Sequence, residues 1–419
     1  MVLARRRERT PVSRRHLAVV KTLTYGMFAM FAMTTDSVGL IIPEIVKTFR
    51  LTLTAAGTFQ YATMAGIAVA GLCLGTLADR LGRRQTIVIG LTAFAAASFL
   101  FAAGQSFLFF VVLMGLSGLA IGVFKTGALA LVGDISTSTT EHTSIMNTIE
   151  GFFGVGSIVG PAVLAYLLAR GASWQWLYVV AGTVCVVLIV MAMSVTYPTS
   201  ASSAALPGAR TGTIEAVSNP YVLAFSAGVF LYVGVEAAIY VWMPTLLASY
   251  RGNANWLAAY GISVFFALRA AGRFLGAWVL LRWKWDAAVA VLSGAILACF
   301  ALSVAGGVEW AVYLLPASGL FMAVIYPTLN SKGISCVPKH EHGAAAGVIL
   351  FFTCLSAVTA PLAMGALSDV TGQIAYGFWL ATGLAALLFA GLLLNWVANP
   401  AHSVLARGDV ADYRQESSL

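Results

Sequence analysis

The sequence predicts an all-α integral membrane protein of about twelve transmembrane helices in two pseudo-symmetric six-helix halves, with both termini cytoplasmic. Three observations carry that prediction. Of 419 residues, 60% are hydrophobic and only 10% charged, whereas soluble domains carry about 25% charged residues. The mean hydropathy is +0.88, so lipid rather than charge must cover the surface. Apolar runs of ~20 residues, each long enough to span a bilayer, recur along the whole length. Finally, the two halves of the chain echo each other at a near-constant spacing of about 200 residues.

In chain order, residues 1–19 form a cytoplasmic tail rich in arginine (Arg5, Arg6, Arg7, Arg9, Arg14, Arg15). The apolar run that follows is too long for a secretory signal and lacks a small-x-small cleavage site, so it reads as helix one, 20–46. Lys47, Arg50 and the threonines Thr52 and Thr54 mark the first external loop. Helix two ends in Gly71–Arg84, GLCLGTLADRLGRR. Gly71 and Gly75, four apart, would lie on one helix face and admit a neighbouring helix. Gly82 permits a tight turn. Asp79, Arg80, Arg83 and Arg84 hold the loop on the cytoplasmic side. Helix three runs to Gly104, helix four to Gly133, helix five to Arg170 and helix six from Trp174 to Tyr197. This first half is 20–197. Residues 198–219, rich in Ala, Ser, Gly, Pro and Thr, read as the cytoplasmic linker. The second half is 220–397, with breaks near Tyr250–Asn255, Arg282–Asp286, Gly306–Glu309, Ser331–Glu341 and Asp369–Gln373, and 398–419 is a cytoplasmic tail. Alternating these loops puts Arg80, Arg83, Arg84, Arg210, Arg282, Lys284, Lys332 and Lys339 inside and only Lys47, Arg50, Arg170 and Arg251 outside. The asymmetry follows the positive-inside rule, and the net charge of +8 reflects topology rather than nucleic-acid binding. The five cysteines form no CxxC pair and read as small buried residues.

The internal repeat pairs Asp36 and Pro43 with Glu236 and Pro244, and Gly71-x3-Gly75 with Gly272-x3-Gly276. It also pairs Ser117-Gly118-Leu119 with Ser318-Gly319-Leu320, and Pro161 with Pro361. Together these argue duplication.

Ionisable residues inside apolar runs are the main functional markers, because each costs several kcal/mol unless paired or hydrated. They are Asp36 in helix one, Lys125 in helix four, Glu150 in helix five, Glu236 in helix seven, and Arg269 and Arg273 in helix eight. Asp36 with Lys125, and Glu236 with Arg269, offer one opposite-charge pair per half. Asp36, Glu150 and Glu236 are the candidates for ion coupling. Arg273 lies near the internal end, where a structural, snorkelling role suffices. Glu150 is equally compatible with an interfacial position.

Amides and aromatics indicate what is carried. Sugars are bound by stacking on flat rings and by amide hydrogen bonds. Gln60, Tyr61, Tyr232, Tyr240, Trp242, Tyr326, Asn330 and Trp379 fall in or near helices. Lys125, Gln60, Tyr61, Tyr232, Glu236, Tyr240, Tyr326 and Asn330 form the expected substrate-binding set. Trp174, Trp176, Trp256, Trp283, Trp285 and Trp310, close to loops, read as interfacial belts. Gly156, Gly160 and Pro161, with Pro361 in the second half, read as packing and hinge positions.

The loop pattern G-x3-D-R-x-G-R-R over Gly75–Arg84 resembles the signature between the second and third helices of the major facilitator superfamily. Several stretches resemble its fucose–galactose–hexose symporter branch: LIIPEI, GFFGVGSIVGP, FLYVGVEAAIYVWMPTLL, Gly272–Gly276, FMAVIYPTL, and Ala360–Gly365 with Ser368-Asp369. The resemblance implies the major facilitator fold, a solute site between the halves, alternating access, and cation-coupled transport of a hexose-like sugar. It also implies coupling carboxylates in helices one and four. Aligning Pro43 puts Gly39 at the helix-one aspartate of the fucose symporter, and the helix-four glutamate position holds Lys125. Those two proton sites therefore do not carry over.

The expected function is secondary active transport of a sugar or sugar-like solute with H+ or Na+, across the inner membrane of a bacterium. A functional monomer embedded in lipid is expected, with no cofactor, metal or nucleic acid. Lys125 and Arg269 favour a second reading, a small organic anion, through attraction at low dielectric. A proton-coupled drug efflux pump is a third. An enzyme is disfavoured: the chain has no G-x4-G-K-[ST], no H-E-x-x-H and no G-x-S-x-G. His340 and His342 are a weak metal spacing in a polar loop.

Overall fold

The computed structural model describes residues 14–74, 77, 81–135, 139–197, 218–337 and 342–405. The linker expected at 198–219 lies almost wholly outside them. The described residues are helical throughout and include no strand. Among the described residues, eleven helices are long and apolar enough to cross a membrane. Helix two contributes a further 17 residues, Thr58–Leu74, before the chain leaves the described residues.

Helix one is two segments, Arg14–Thr35 and Val38–Phe49. Helix two follows a short turn of helix, Leu53–Ala56. Helix three is Arg83–Leu100, helix four Phe107–Ile135, helix five Thr139–Ala169 and helix six Gln175–Ser194. Helix seven runs Pro220–Ala237, passes through a π-helical turn at Ala238–Trp242 and ends in Met243–Leu247. Helix eight is Asn255–Arg282 and helix nine Trp285–Gly306. Helix ten comes in three pieces, Val308–Ala317, Gly319–Met322 and Ile325–Ile334. Helices eleven and twelve are His342–Thr371 and Ile374–Ala398.

Local chemistry explains the ends and the breaks. Asn219 accepts from the Tyr221 and Val222 N–H groups, and Pro220 follows at the first helical position, where its missing N–H costs nothing. Gly82 enters helix three at φ 89°, a conformation that a Cβ disfavours. In helix one, Thr34 and Thr35 both donate their hydroxyls to the Phe31 carbonyl, and the helix breaks at the next two residues. Such back-bonding competes with the helical ladder and bends it.

By packing, the chain falls into two compact units. One draws on Met1–Thr35, Ala62–Gly160 and Arg170–Ala204, the other on Asp36–Tyr61, Pro161–Ala169 and Ala205–Leu419. Helix one is thus divided at its own break, and helix five between Gly160 and Pro161.

The duplication is visible in how helices touch. In the first unit, Gly156 and Gly160 of helix five lie against the backbone of Ala29 and Met33 in helix one. In the second, Gly234 of helix seven faces Ser356 and Ala360 of helix eleven, and the Ser356 hydroxyl donates to the Phe230 carbonyl at 2.6 Å. The same crossing recurs, with the small residue moved to the other partner. Likewise Gly118 of helix four lies on Thr63 of helix two, and Gly319 of helix ten on Phe265 of helix eight.

Two expectations change. Gly71 approaches nothing among the described residues; it is Gly66 that takes the backbone of helix four, at Gly115 and Leu119. Trp174 is not interfacial. It is buried in an aromatic cluster in which Phe101 stacks on Tyr178 with centroids 4.0 Å apart, and Phe110 meets Trp174 edge-on at 5.0 Å. Trp176, Trp256, Trp283 and Trp310 are exposed.

Candidate functional site

The second unit gathers charge at the interrupted parts of two helices. Glu236 stands just before the π-helical turn of helix seven, is 7% exposed, and forms an ion pair with Arg269 of helix eight. Arg273, one turn further along helix eight, acts electrostatically on both Glu236 and Tyr232. Asp36, at the break in helix one, is also buried. The Tyr240 hydroxyl lies within electrostatic reach of Asp36, Glu236 and Arg269. Two carboxylates and the Arg269 guanidinium thus surround a tyrosine on a π-helical turn, and such turns recur at functional sites because they re-aim side chains.

The neighbouring aromatics are fixed by the backbone of other helices. The Tyr232 hydroxyl donates to the Met322 carbonyl at 3.1 Å, where helix ten is interrupted. The Tyr326 ring is 6.1 Å from the Tyr232 ring, and its hydroxyl is 3.4 Å from that of Thr353. Trp242 is buried and donates its indole N–H to the Pro361 carbonyl at 3.0 Å. Trp242 is therefore a structural tie between helices seven and eleven rather than a stacking platform.

Gly39 explains one departure from the fucose symporter pattern. A Cβ at this position would meet the Tyr240 carbonyl. Only a glycine lets helix one approach the π-helical turn so closely, so an aspartate there would be excluded. The buried carboxylate of helix one is Asp36 instead.

The first unit presents a different arrangement. Lys125 is half-buried on the unbroken helix four, its Nζ 5.1 Å from the Phe31 ring centroid and 5.9 Å from that of Phe28. Aromatic faces attract an ammonium through their quadrupole. Phe31 also meets Phe153 of helix five edge-on at 5.3 Å. Phe28 and Phe31 carry no polar mark in the sequence, and their spacing of three is the signal that aligns them on one helix face.

Some candidate residues carry buried polar atoms that have no hydrogen-bond partner among the described residues. These are both amide atoms of Gln60, which is 0% exposed, the Tyr61 hydroxyl and the Asn330 carbonyl oxygen. Each such atom costs about 1–3 kcal/mol, so each calls for a functional or hydration role.

The remaining predicted positions are dispersed. Glu150 and Arg273 are exposed, as is Trp379. Pro161 and Pro361 lie within helices five and eleven. In the loop, Gly75, Asp79 and Arg80 lie outside the described residues. Arg83 is buried, and Arg84 donates to the Met193 carbonyl at the end of helix six at 2.8 Å. The cysteines at 185, 299, 336 and 354 are free thiols. No group of three or more metal-ligating side chains occurs among the described residues.

Comparison with known proteins agrees with this architecture. The family model for the Major Facilitator Superfamily matches residues 24–361. A glucose/galactose transporter of Brucella abortus is 24% identical over 363 residues, covering 83% of this chain and 87% of the relative. A cis,cis-muconate transport protein of Acinetobacter baylyi is 26% identical over 375 residues, covering 84% and 89%. Among solved structures, a variant of the E. coli fucose:proton symporter superposes with a TM-score of 0.61 at 18% identity, covering 89% of this chain and 98% of that one.

Proposed function

The chain belongs to the Major Facilitator Superfamily of multi-pass membrane transporters, and we propose that it is a cation-coupled symporter for a neutral sugar or sugar-like solute in the cytoplasmic membrane of a bacterium. The observation that carries this reading is the balanced charge cluster of the second unit. Asp36 and Glu236 share the cluster with Arg269, and the exposed Arg273 acts on Glu236 from one turn away, so the four charges balance in sum. Its carboxylates are buried where helices one and seven are interrupted, and this is where coupling ions act in carriers with discontinuous helices. Protonation of Glu236 would weaken its hold on Arg269, and protonation of Asp36 would free Tyr240 from a neighbouring negative charge. Either change gives an ion a means to alter the packing of these helices.

The unpartnered amide of Gln60, the Tyr61 hydroxyl and the Asn330 carbonyl support a hydroxyl-bearing solute, which both donates and accepts. Tyr232, Tyr240 and Tyr326 add flat apolar faces beside them. The glucose/galactose and fucose specificities of two relatives point the same way. The solute would be exchanged by alternating access between the two halves, 20–197 and 220–397, in a functional monomer.

Lys125 favours a second reading. An ammonium resting on two phenylalanine rings suits an organic anion such as a carboxylate or sugar acid, and a muconate carrier is among the relatives.

The test is uptake by purified protein in liposomes, offered glucose, fucose, galactose, glucuronate and lactate under imposed proton or sodium gradients. Neutral-sugar accumulation that needs a cation gradient and fails in Asp36→Asn or Glu236→Gln is the expected result. Uptake of anions alone, abolished by Lys125→Ala, would overturn it in favour of the second reading.

A further inference from the structure

Asp369, near the external end of helix eleven, makes a contact that the solute and ion sites do not use. Its Oδ1 accepts the Leu53 N–H at 2.7 Å and its Oδ2 the Thr54 N–H at 2.8 Å, across 316 and 315 residues of chain. The hydroxyls of Thr52 and Thr54 also face the carboxylate. The side chain of Thr52 caps the same turn from within, accepting from the Ala55 N–H at 3.2 Å. One carboxylate thus gathers the start of Leu53–Ala56, the turn that leads into helix two. The first N–H groups of a helical turn have no partner within it, and charge-assisted bonds are roughly twice as strong as neutral ones.

The surrounding contacts allow this approach without directing it. Gly365, one turn before Asp369, leaves room for the Thr54 backbone and the Trp242 ring, since a Cβ there would stand 3.4 Å and 3.0 Å from them. Gly39 brings the outer segment of helix one onto the Tyr240 carbonyl. Both are glycine-mediated van der Waals approaches that carry no directional bond. The carboxylate bonds are directional and short. They tie two parts of the chain that the charge distribution places at the external face.

We propose that Asp369 is an external latch, a positioning residue that holds the outer ends of helices one and two against helices seven and eleven and thereby limits access from outside. The latch rests on the alternating-access reading but not on the identity of the solute or the coupling ion. Breaking it exposes residues packed behind it. Ala56, on the latched turn, is 0% exposed and reports this directly.

The experiment places a cysteine at position 56 (Ala56→Cys) and follows labelling of intact cells by a membrane-impermeant maleimide. The chain without this substitution supplies the background. Two variants release the latch differently. Asp369→Asn removes the charge. Leu53→Pro removes one donor at the first helical position, where proline fits and where the preceding Thr52 is already extended at φ −70°, ψ 160°. Each is expected to raise the labelling rate at position 56 by about tenfold or more, since charge-assisted bonds are being removed. A second reporter, Ala345→Cys, is buried near the cytoplasmic start of helix eleven and is read in inside-out vesicles. Its rate should stay level or fall. Unchanged labelling at position 56 in both variants would overturn the latch. So would an equal rise at both reporters, the mark of general loosening. No solute is added, so failure here is separable from failure of the sugar reading.

Discussion

In the first half Lys125 stands on an unbroken helix, whereas in the second half Glu236 stands where a helix is broken. Lys125 projects from the continuous helix four onto the rings of Phe28 and Phe31. Glu236 and Arg269 pair beside the π-helical turn of helix seven, and Tyr232 reaches a carbonyl at an interruption of helix ten. Yet the helix crossings beneath them are copies, with Gly156 and Gly160 on one side and Gly234, Ser356 and Ala360 on the other. Duplication preserved the places where backbones touch and left the polar residues free to diverge. Packing small residues against backbone leaves few alternatives, whereas a charge needs only a counter-charge or a cavity.

The sharpest break of this comparison is in the second half. Arg269→Ala should destabilise the protein by about 3–5 kcal/mol, because it strands a buried carboxylate. The double variant Glu236→Gln, Arg269→Gln should recover much of that loss. Thermal unfolding in lipid nanodiscs checks both, and additive losses would mean that the pair is not a coupled unit. Next in size is the crossing of helices one and five. Gly156→Ala drives a methyl group into the Ala29 backbone and should cost about 1–3 kcal/mol, while Gly234→Ala, facing the ends of Leu384 and Ala360, should fall at the low end of that range. Equal costs would mean that the two crossings are less alike than they look.

A smaller effect is expected at Lys125→Met. Losing its contacts with Phe28 and Phe31 should cost stability about 0.5–2 kcal/mol, and neutral-sugar uptake should persist. Collapse of sugar uptake would place Lys125 in the coupling machinery instead. The smallest effect is at Cys336. Burial, partly opposed by nearby Lys332, pushes its thiol up to about 11. Its thiolate is then a minor species at pH 8 and grows as pH rises towards that value. Alkylation at pH 8 should be about two hundredfold slower than that of an ordinary thiol. A fast reaction would show that this end of helix ten opens readily.

The helical architecture was legible because hydropathy and basic loops report directly on lipid and on sidedness. The pairing of Glu236 with Arg269 was legible too, since two opposite charges in adjacent helices have few other ways to be stable in lipid. The interruptions were harder. Asp36 and Ser37 sit in a polar run, TTDS, that hints at a break. The π-helical turn at Ala238–Trp242 has no comparable mark, because an extra residue in a turn leaves composition unchanged. Gly71 misled because two glycines four apart identify a face but not what lies opposite it. Trp174 misled because nearness to a loop does not distinguish a membrane belt from an aromatic cluster beneath that loop. The partners of Asp369 were illegible for a different reason. They are backbone N–H groups, which nearly any residue offers.

The bonds from Asp369 to Leu53 and Thr54 also bear on how the chain is made. Synthesis runs at about 5–20 residues per second, so a partner 316 residues downstream arrives on the order of tens of seconds later. During that interval the outer ends of helices one and two are already made while the surfaces of helices seven and eleven that receive them are not. Gly39, Leu53 and Thr54 must wait in lipid or at its interface with their final neighbours absent. The nascent first half is therefore an unfinished structure whose outer rim is completed by the last third of the polypeptide. Its quality control belongs to the end of translation rather than to the moment its own six helices are in place.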